Sequence, residues 1–384
     1  MTPITDTLTL WGSPHSFYAG KVRSYLIKKS LPFREQTLAD PRFKDHVVPT
    51  VRHMVVPVVE LPDGSLLQDS TDIIETLEAR HPANPMLPTT PVQRCVALLL
   101  DAFGTEGLLA PGMHYRWSYR VEQESFLQAE FGRALHYGTS RDERNAAGRA
   151  IMDYFSNFLP GLGVTPETIP AIEASYEALL EVLDAHFQCY PYLLGCRPTV
   201  ADFGFMAPLY AHLSRDPVPS NLMKMKAPNV YRWTERMNLA NGNDGEFPEC
   251  TGEWLGDDAI PATLEPVLAY IFADWGPQWL ADAALFNDWS AGQSTGALVE
   301  VRDERKVHQT LGMVTAPMHG TAMTRASSPN GLFLLDKALR AQAALAGDAS
   351  AQWQALLART GGESVMALSL PRHMKRQDYS LVLQ

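Results

Sequence analysis

The stretch VVPVVELPDGSLLQDSTDII, residues 55–74, places a proline inside an apolar, β-branched run and ends in an Asp-Ser pair. Apolar runs on both sides of the Pro-Asp-Gly turn at 62–64 predict a β-hairpin. Proline cannot donate to a strand ladder, so Pro57 belongs at the start of its strand or at a sheet edge. Ser, Thr and Asp followed by Ile73 and Ile74 at helical spacing predict a helix over 70–81.

The residues before this stretch complete a small α/β unit. The alternating, β-rich run 7–12 predicts a strand, and 32–38 predicts a second one. Between them, 19–31 predicts a helix with Val22, Leu26 and Ile27 on one face and Lys and Arg on the other. Residues 39–54 are polar and irregular, which predicts a loop. The order β-α-β, loop, β-β-α, with proline opening the third strand, is the thioredoxin-like pattern.

Composition limits the class of protein. The chain has 384 residues and a net charge of -11, which argues against a nucleic-acid binder. We see no apolar run near the roughly 18–20 residues that span a bilayer, and no signal peptide, so we expect no membrane association and a cytoplasmic location. The four cysteines are scattered without a CxxC motif, so we expect buried free thiols rather than a zinc site or a disulfide.

After a proline-marked linker at 82–91, the sequence pattern is almost wholly helical. The predicted helices fall within 93–109, 142–159, 168–187, 199–214, 229–238, 263–290 and 331–347. A Gly/Asn/Asp-rich break at 238–246 separates the last two from the rest. The run 314–330 is predicted to be a loop, and the tail 363–384 to contain an edge strand or extended arm. We therefore expect a thioredoxin-like domain at 1–84, an all-helical domain at 92–245, and a mostly helical extension at 246–384 packed on it.

The opening stretch also predicts a ligand. A cis bond before Pro57 would leave the N–H and C=O of Val56 free to pair with an extended peptide. Ser70, at the helix start, offers its hydroxyl and N–H to an anion. Asp69 beside it can accept a hydrogen bond from an ammonium group. Glutathione carries a peptide backbone, a carboxylate and an ammonium in that arrangement; the alternative role of Asp69 and Ser70 is a plain helix cap.

These elements resemble the glutathione S-transferase family. The run 55–82 is similar to the family's glutathione-anchoring half, with its V-P, D-G and D-S-x-x-I elements. The run 192–213 is similar to the signature of its second domain, in which Thr199 and Asp202 form a structural capping box. The likeness covers about residues 7–240, and the extension lies outside the common pattern.

The resemblance implies an activated thiol near the loop after the first strand. The family uses Ser, Tyr or Cys there, and the loop 12–26 contains no Cys, which disfavours a mixed-disulfide reductase. The register of Lys21-Val22-Arg23 favours Ser16 as the donor, with Tyr18 and Ser13 as alternatives. Ser16 is also expected to cap its helix, and His15 is a weaker candidate base.

Two further parts of the site are assigned less directly. A cation near 40–54 should hold the glycine end of glutathione; Lys44, Arg52 and His53 are available, and His53 is nearest in register to Val56. The segment 112–120 supplies His114, Tyr115 and Trp117, which either line the electrophile pocket or pack between helices. The Trp-rich run 275–289 is predicted to attach the extension to the helical domain.

The resemblance implies an enzyme that adds the glutathione thiolate to a small apolar electrophile, or uses it in thioether cleavage, dehalogenation or isomerisation. Such chemistry serves detoxification, with glutathione as co-substrate and without a metal. A non-catalytic glutathione-binding or scaffold protein on the same fold is the alternative. The family also implies a homodimer, unless the extension covers the pairing surface.

Overall fold

The computed structural model describes residues 7–138, 140–240, 245–302, 307–308 and 310–384. Its N-terminal unit is a four-stranded sheet in the order β2-β1-β3-β4. The first two strands are parallel, and the other neighbours are antiparallel. The strands are β1 (Leu8–Trp11), β2 (Phe33–Gln36), β3 (Val58–Glu60) and β4 (Leu66–Gln68). This is the predicted thioredoxin-like sheet, with the 62–64 turn joining β3 to β4.

Three helices accompany the sheet: α1 (Phe17–Lys28), α2 (Val48–Val51) and α3 (Ser70–Arg80). The prediction of a loop over 39–54 was wrong, because a π-helical turn at Phe43–Val47 runs directly into α2. Phe43, Val47 and Val51 are buried against Trp11, an apolar spacing that the polar residues between them obscure.

The second unit is all-helical, as predicted. It contains α4 (Pro91–Glu106), α5 (Leu109–Trp117), α6 (Arg120–Leu135), α7 (Arg141–Ser156), α8 (Ile169–Cys189), α9 (Val200–Pro208), α10 (Pro217–Lys226) and α11 (Pro228–Met237). The predicted helices at 93–109, 142–159, 168–187, 199–214 and 229–238 are confirmed within a few residues, whereas α5, α6 and α10 were not predicted. The helical stretch 91–117 is long and apolar enough to span a membrane, whereas we expected no such run. In the fold, 94% of its most apolar window is buried, as in the core helix of a soluble domain.

In its described residues, the extension mixes helices with three antiparallel strand pairs. Its helices are α12 (Glu265–Tyr270), α13 (Gly276–Ala291), α14 (Pro329–Ala343), α15 (Gly347–Thr360) and α16 (Glu363–Met366). Its strands are β5 (Val301–Arg302), β6 (Val307–His308), β7 (Met313–Met318), β8 (Thr321–Ala326), β9 (Met374–Gln377) and β10 (Ser380–Leu383). The prediction of a loop over 314–330 was wrong: β7 alternates exposed and buried residues and pairs with β8 around His319-Gly320.

The extension packs on the helical unit along α4. Helix α14 lies against α4, and the Trp275 ring lies 6.4 Å from the ring of Phe103 on α4. Trp279 is buried in the same core. The Trp-rich run therefore attaches the extension as expected.

The prediction of four buried free thiols was wrong for three of them. Cys196 and Cys250 form a disulfide, Cys189 is exposed, and Cys95 is a buried free thiol. The bonded pair is 54 residues apart, a separation that no CxxC-type pattern marks in the sequence. The disulfide ties the loop before α9 to the first residues of the extension.

The capping box of α9 is confirmed. Asp202 accepts hydrogen bonds from the backbone N–H groups of Thr199 at 2.8 Å and Leu193 at 3.0 Å, and from the indole of Trp233 at 3.3 Å. Thr199 and Asp202 are fully buried, so both serve the fold rather than a ligand.

The sequence analysis predicted an amphipathic α1 with its Lys and Arg on a separate polar face, and this was wrong for Lys21 and Arg23, which are buried. Lys21 is 1% exposed, and its Nζ lies 2.6 Å from Asp101 Oδ1 on α4. The same ammonium donates to the hydroxyl of Thr105 at 2.8 Å and to that of Thr71 at 3.1 Å. One buried cation therefore joins α1, α3 and α4, and it fixes the N-terminal unit on the helical unit.

We predict that Lys21→Met lowers the free energy of unfolding by about 3–5 kcal/mol, because it leaves the Asp101 carboxylate buried without its cation. Denaturant unfolding followed by tryptophan fluorescence measures this change. Lys337→Met is the matched control: Lys337 pairs with the half-exposed Glu75 at 2.5 Å, and an exposed pair contributes less than about 1 kcal/mol. Equal losses for the two variants would contradict a special role for Lys21.

Candidate functional site

The corner before β3 has the predicted backbone geometry. The Val56-Pro57 peptide bond is cis. Strand pairing with β1 begins at Val58, opposite Trp11, so Val56 stands outside the ladder. Within the described part of the chain, no backbone hydrogen bond is recorded for the N–H or C=O of Val56. The corner therefore presents an unpaired peptide group next to the sheet.

Asp69 and Ser70 stand at the start of α3, as predicted. Asp69 adopts φ +74°, which is uncommon outside glycine, and backbone strain of this kind is concentrated at functional sites. Its Oδ1 accepts a hydrogen bond from the N–H of Thr71 at 2.9 Å, which makes it the cap of the helix. Ser70 is 3% exposed. Capping uses one oxygen of Asp69 and leaves the other for a second partner.

That second partner comes from the far end of the chain. Arg376 on β9 donates from Nη2 to Asp69 Oδ2 at 2.6 Å, and its Nε lies 3.4 Å from Asp72 Oδ2. Burial, together with the charge of Asp69, raises the pKa of Asp72 to about 6, although Arg376 acts in the opposite direction. Nothing in the local sequence around Arg376 links it to residue 69, and our sequence analysis missed it.

A chain of hydrogen bonds continues from Arg376 across the cleft between the two units. Arg376 Nη2 also donates to Asn330 Oδ1 at 2.6 Å, and Asn330 Nδ2 donates to Glu106 Oε1 at 2.7 Å. Glu106 accepts two more hydrogen bonds, from the hydroxyls of Tyr18 at 3.1 Å and Ser328 at 3.2 Å. We call Tyr18, Glu106, Asn330, Arg376 and Asp69 the cleft network. It joins the thioredoxin-like unit, α4 and the extension.

The three candidate hydroxyls occupy different environments. Ser16 is half-buried and caps α1, its Oγ accepting from the N–H of Ala19 at 3.4 Å. Ser13 is 2% exposed and its Oγ lies 3.4 Å from His15 Nε2. Burial and the neighbouring Glu106 raise the pKa of Tyr18 well above its usual value, so this phenol stays neutral. The predicted capping role of Ser16 is confirmed; the choice of thiol donor stays a prediction.

His15 is buried rather than solvated. Its ring centroid lies 4.1 Å from that of Phe131, and its C=O accepts a hydrogen bond from Arg116. Burial, followed by the charges of Arg116, Arg215 and Arg23, holds the pKa of His15 well below its usual value. The imidazole is therefore neutral at pH 7.

The residues assigned to the glycine end of glutathione lie around α2. Lys44 and Arg52 are exposed, and Arg52 adopts φ +62° at the end of α2. His53 is half-buried three residues before Val56. His53 is close to the corner along the chain, and its role as a ligand contact stays a prediction.

The aromatic residues assigned to the electrophile pocket lie between helices. His114, Tyr115 and Trp117 are at most 5% exposed. His114 Nε2 lies 3.0 Å from Glu173 on α8, and Trp117 packs with residues of α6 and α7. This placement matches inter-helix core, the alternative stated above, and substrate contact by these residues stays a prediction.

Two cavities lie away from the cleft network. A cavity of about 530 Å³ is lined by Cys196, Cys250, Lys28 and Asn84, and another of about 350 Å³ by Ser118 and Thr165. Among the described residues, no group of three or more His, Cys, Asp or Glu side chains is placed to hold a metal ion.

Comparison with known families identifies both units. Residues 10–85 match the glutathione S-transferase N-terminal domain, and residues 166–240 match the glutathione S-transferase C-terminal domain. The two matches occur in the order that the resemblance implied, and they confirm it. The chain belongs to the glutathione S-transferase family in these two domains, and the extension lies beyond both matches.

The chain is also similar, at low sequence identity, to solved structures of glutathione S-transferases. A glutathione S-transferase from Methylobacterium radiotolerans, solved with glutathione sulfonate, is 21% identical; the match covers 66% of this chain and 100% of that one, with a TM-score of 0.34. One from Ceriporiopsis subvermispora, solved with glutathione, is 14% identical, with coverages of 60% and 96% and a TM-score of 0.40. One from Phanerochaete chrysosporium is 16% identical, with coverages of 62% and 98% and a TM-score of 0.38. No curated protein matches the chain.

The buried carboxyl of Glu106 gives a pH-dependent prediction. Burial raises its pKa above the usual value despite three hydrogen bonds. The folded state therefore binds its proton more tightly than the unfolded state, and Glu106 destabilises the fold increasingly as the pH rises from about 4.3 through the raised pKa. We expect Glu106→Gln to gain stability relative to the wild type over this range, on top of a constant offset from altered hydrogen bonding.

Denaturant unfolding of both proteins between pH 4 and pH 8 measures the difference. Glu265→Gln supplies a control of opposite sign, because hydrogen bonds from Arg359 lower the pKa of Glu265. That variant should lose stability relative to the wild type as the pH rises. A difference that stays flat with pH for Glu106→Gln would show that the carboxyl titrates normally.

Proposed function

We propose that the chain is a glutathione transferase in which the corner formed by Val56, Pro57, Asp69 and Ser70 holds glutathione. The observation that carries this proposal is the peptide group of Val56, which no backbone hydrogen bond among the described residues pairs, beside a helix start whose Asp69 cap uses only one carboxylate oxygen. Both features lie within the part of the chain that matches the family's N-terminal domain. Two of the similar structures are also complexes with glutathione or glutathione sulfonate.

Each group of the corner has a chemical counterpart in glutathione. The peptide group of Val56 pairs with the ligand backbone as a short added strand. Ser70 and the N-terminus of α3 receive the α-carboxylate of the γ-glutamyl end, where N–H groups and the helix dipole favour an anion. Asp69 Oδ2 receives the α-ammonium, and His53 binds the glycine end.

The thiol lies at the start of α1 in this arrangement. A free thiol has a pKa of about 8.5, and a hydroxyl donor together with a helix N-terminus favours the thiolate. Ser16 supplies that hydroxyl at the N-terminus of α1. The thiolate sulfur attacks the electrophilic carbon and forms a thioether, while the thiol proton passes to solvent. The electron pair of the broken bond leaves with the leaving group, or moves within the acceptor in an addition.

The electrophile is a small apolar molecule. Beside the α1 start, Phe17 packs with Ala207 and Ala211 of the helical unit, and Leu109 and Tyr18 lie against this cluster. These side chains give the cleft an apolar wall next to the thiol.

We expect Ser16→Ala to lower kcat/KM for conjugation of glutathione with a chlorodinitrobenzene by about 10²–10³-fold, the usual effect of removing one donor to a developing anion. Parallel assays of Ser13→Ala and Tyr18→Phe should show smaller losses. Ser140→Ala is a matched control, because Ser140 caps α7 with an Oγ to Glu143 N–H distance of 3.4 Å, the same as at Ser16. Both cap losses should cost about 1 kcal/mol of stability, but only Ser16→Ala should lose activity.

Binding measured by calorimetry separates this proposal from the non-catalytic alternative. A wild-type chain that binds glutathione but conjugates no electrophile is a binding or scaffold protein. If Ser16→Ala keeps full activity, the thiol donor is another residue and the family chemistry stands. If Asp69→Asn leaves glutathione affinity unchanged, the ligand does not use this corner.

A further inference from the structure

The β9–β10 hairpin of the extension covers the corner assigned to glutathione. Arg376 on β9 donates to Asp69, and Tyr379, at the hairpin turn, donates from its hydroxyl to the C=O of Leu66 at 3.4 Å. Tyr379 also packs on the apolar cluster of Trp11, Val58 and Leu66, against which Val56 packs as well. The hairpin thus reaches the carboxylate end and the peptide end of the corner together.

We propose that Arg376 determines which ligands enter this site: its guanidinium stands in for the α-ammonium of glutathione, and glutathione binds only by displacing it. This inference rests on the proposed function, because it assigns the same corner to the γ-glutamyl end. A competing ligand must therefore bring a cation for Asp69 and must move the hairpin. Peptides that lack a free ammonium group are excluded.

The chemistry at Asp69 makes the competition direct. The carboxylate has two oxygens, and Oδ1 is already bonded to the N–H of Thr71. Oδ2 accepts from Arg376 at 2.6 Å, the length of a strong charge-assisted hydrogen bond. An ammonium and a guanidinium are both cationic N–H donors, so each satisfies the same oxygen. An ammonium bonded to the same oxygen would stand close to the guanidinium, and the repulsion between the two cations opposes its binding while Arg376 stays in place.

The side chain of Arg376 is held in place for this contact. Met374 and Arg376 point inward from β9, while their neighbours Lys375 and Gln377 are exposed. Asn330 accepts from the same Nη2, and the guanidinium carbon lies 5.5 Å from the ring centroid of Phe333. Arg376 is 10% exposed as a side chain. An arginine that serves only solubility is normally exposed to solvent, and Arg376 is not.

The turn of the hairpin also favours this contact. Asp378 and Tyr379 have φ +48° and φ +65°, as in a two-residue hairpin turn with both central residues left-handed. Glycine and asparagine are the usual residues there, and tyrosine is disfavoured. The packing of Tyr379 on the corner offsets this cost. Its side chain is therefore placed by the contact it makes and not by turn preference.

The backbone of the hairpin is anchored at its base, and the turn is held only by side-chain contacts. Among the described residues, its backbone bonds to the neighbouring segment 296–299 fall at Leu381 and Leu383. Met374 and Leu383, at the open end, are buried in the main core. Within the part of the chain that the structure describes, the backbone pairing of residues 376–380 stays within the hairpin. The turn can therefore move away from the corner while the base stays packed.

Calorimetry on the full-length chain tests the proposal. Arg376→Ala should lower the Kd for glutathione about tenfold or more, because the ligand no longer competes with a charge-assisted hydrogen bond. Lys375→Ala is the matched control: the same strand loses a cation that points to solvent, and the Kd should not change. N-acetylglutathione, which lacks the ammonium, should bind weakly to the wild type and gain little from Arg376→Ala.

Hydrogen exchange in the wild type gives an independent readout that does not require a variant to fold. Amides of 376–380 should exchange faster when glutathione is added. If wild type and Arg376→Ala bind glutathione with equal Kd while Asp69→Asn loses binding, the proposed function stands and the competition is refuted. If glutathione binds none of the proteins, the proposed function fails, and this inference fails with it. Slower exchange of 376–380 with glutathione would also refute displacement.

Discussion

A buried ammonium group sets the geometry on which the cleft depends. Lys21 reaches from α1 to Thr71 on α3 and to Asp101 and Thr105 on α4, and it is almost fully buried. A charge in that position is tolerated only when its hydrogen bonds are satisfied, so the three helix segments are held in register. Asp69 lies two residues before Thr71, and Glu106 directly follows Thr105. The lysine that joins the two units therefore also places the two carboxylates that receive the extension.

The extension is part of this cleft and not an appendage of the helical unit. Helix α14 packs along α4, which brings its capping residue Ser328 and its first-turn residue Asn330 to Glu106. Asn330 also accepts a hydrogen bond from Arg376, which donates to Asp69. One chain of polar groups therefore runs from Tyr18 to Asp69. Buried polar chains of this kind are stable only when each member has a partner. The two carboxyls, the guanidinium, the amide of Asn330 and the neutral phenol each have at least one partner in this chain of hydrogen bonds.

The cleft network also separates the three candidate hydroxyls. The hydroxyl of Tyr18 donates to Glu106, and the raised pKa of that phenol opposes ionisation. Ser13 is enclosed beside a neutral His15. Ser16 stays half-buried at the N-terminus of α1, where the helix dipole favours an anion. Environment rather than residue type therefore distinguishes the hydroxyls, and it favours the same serine as the sequence register does.

The sequence by itself determined the local elements. Alternation, helical spacing, the Pro-Asp-Gly turn and the Val56-Pro57 dipeptide predict the small sheet, the corner and most helices, because those signals act between residues close in the chain. Beyond the two stretches wrongly predicted as loops, the remaining errors have the opposite cause. The burial of Lys21, the pairing of Cys196 with Cys250, and the contact of Arg376 with Asp69 join residues 50 to 307 positions apart, and no local pattern encodes them. Only tertiary packing decided what covers the corner, because burial and charge pairing depend on neighbours that the fold brings together.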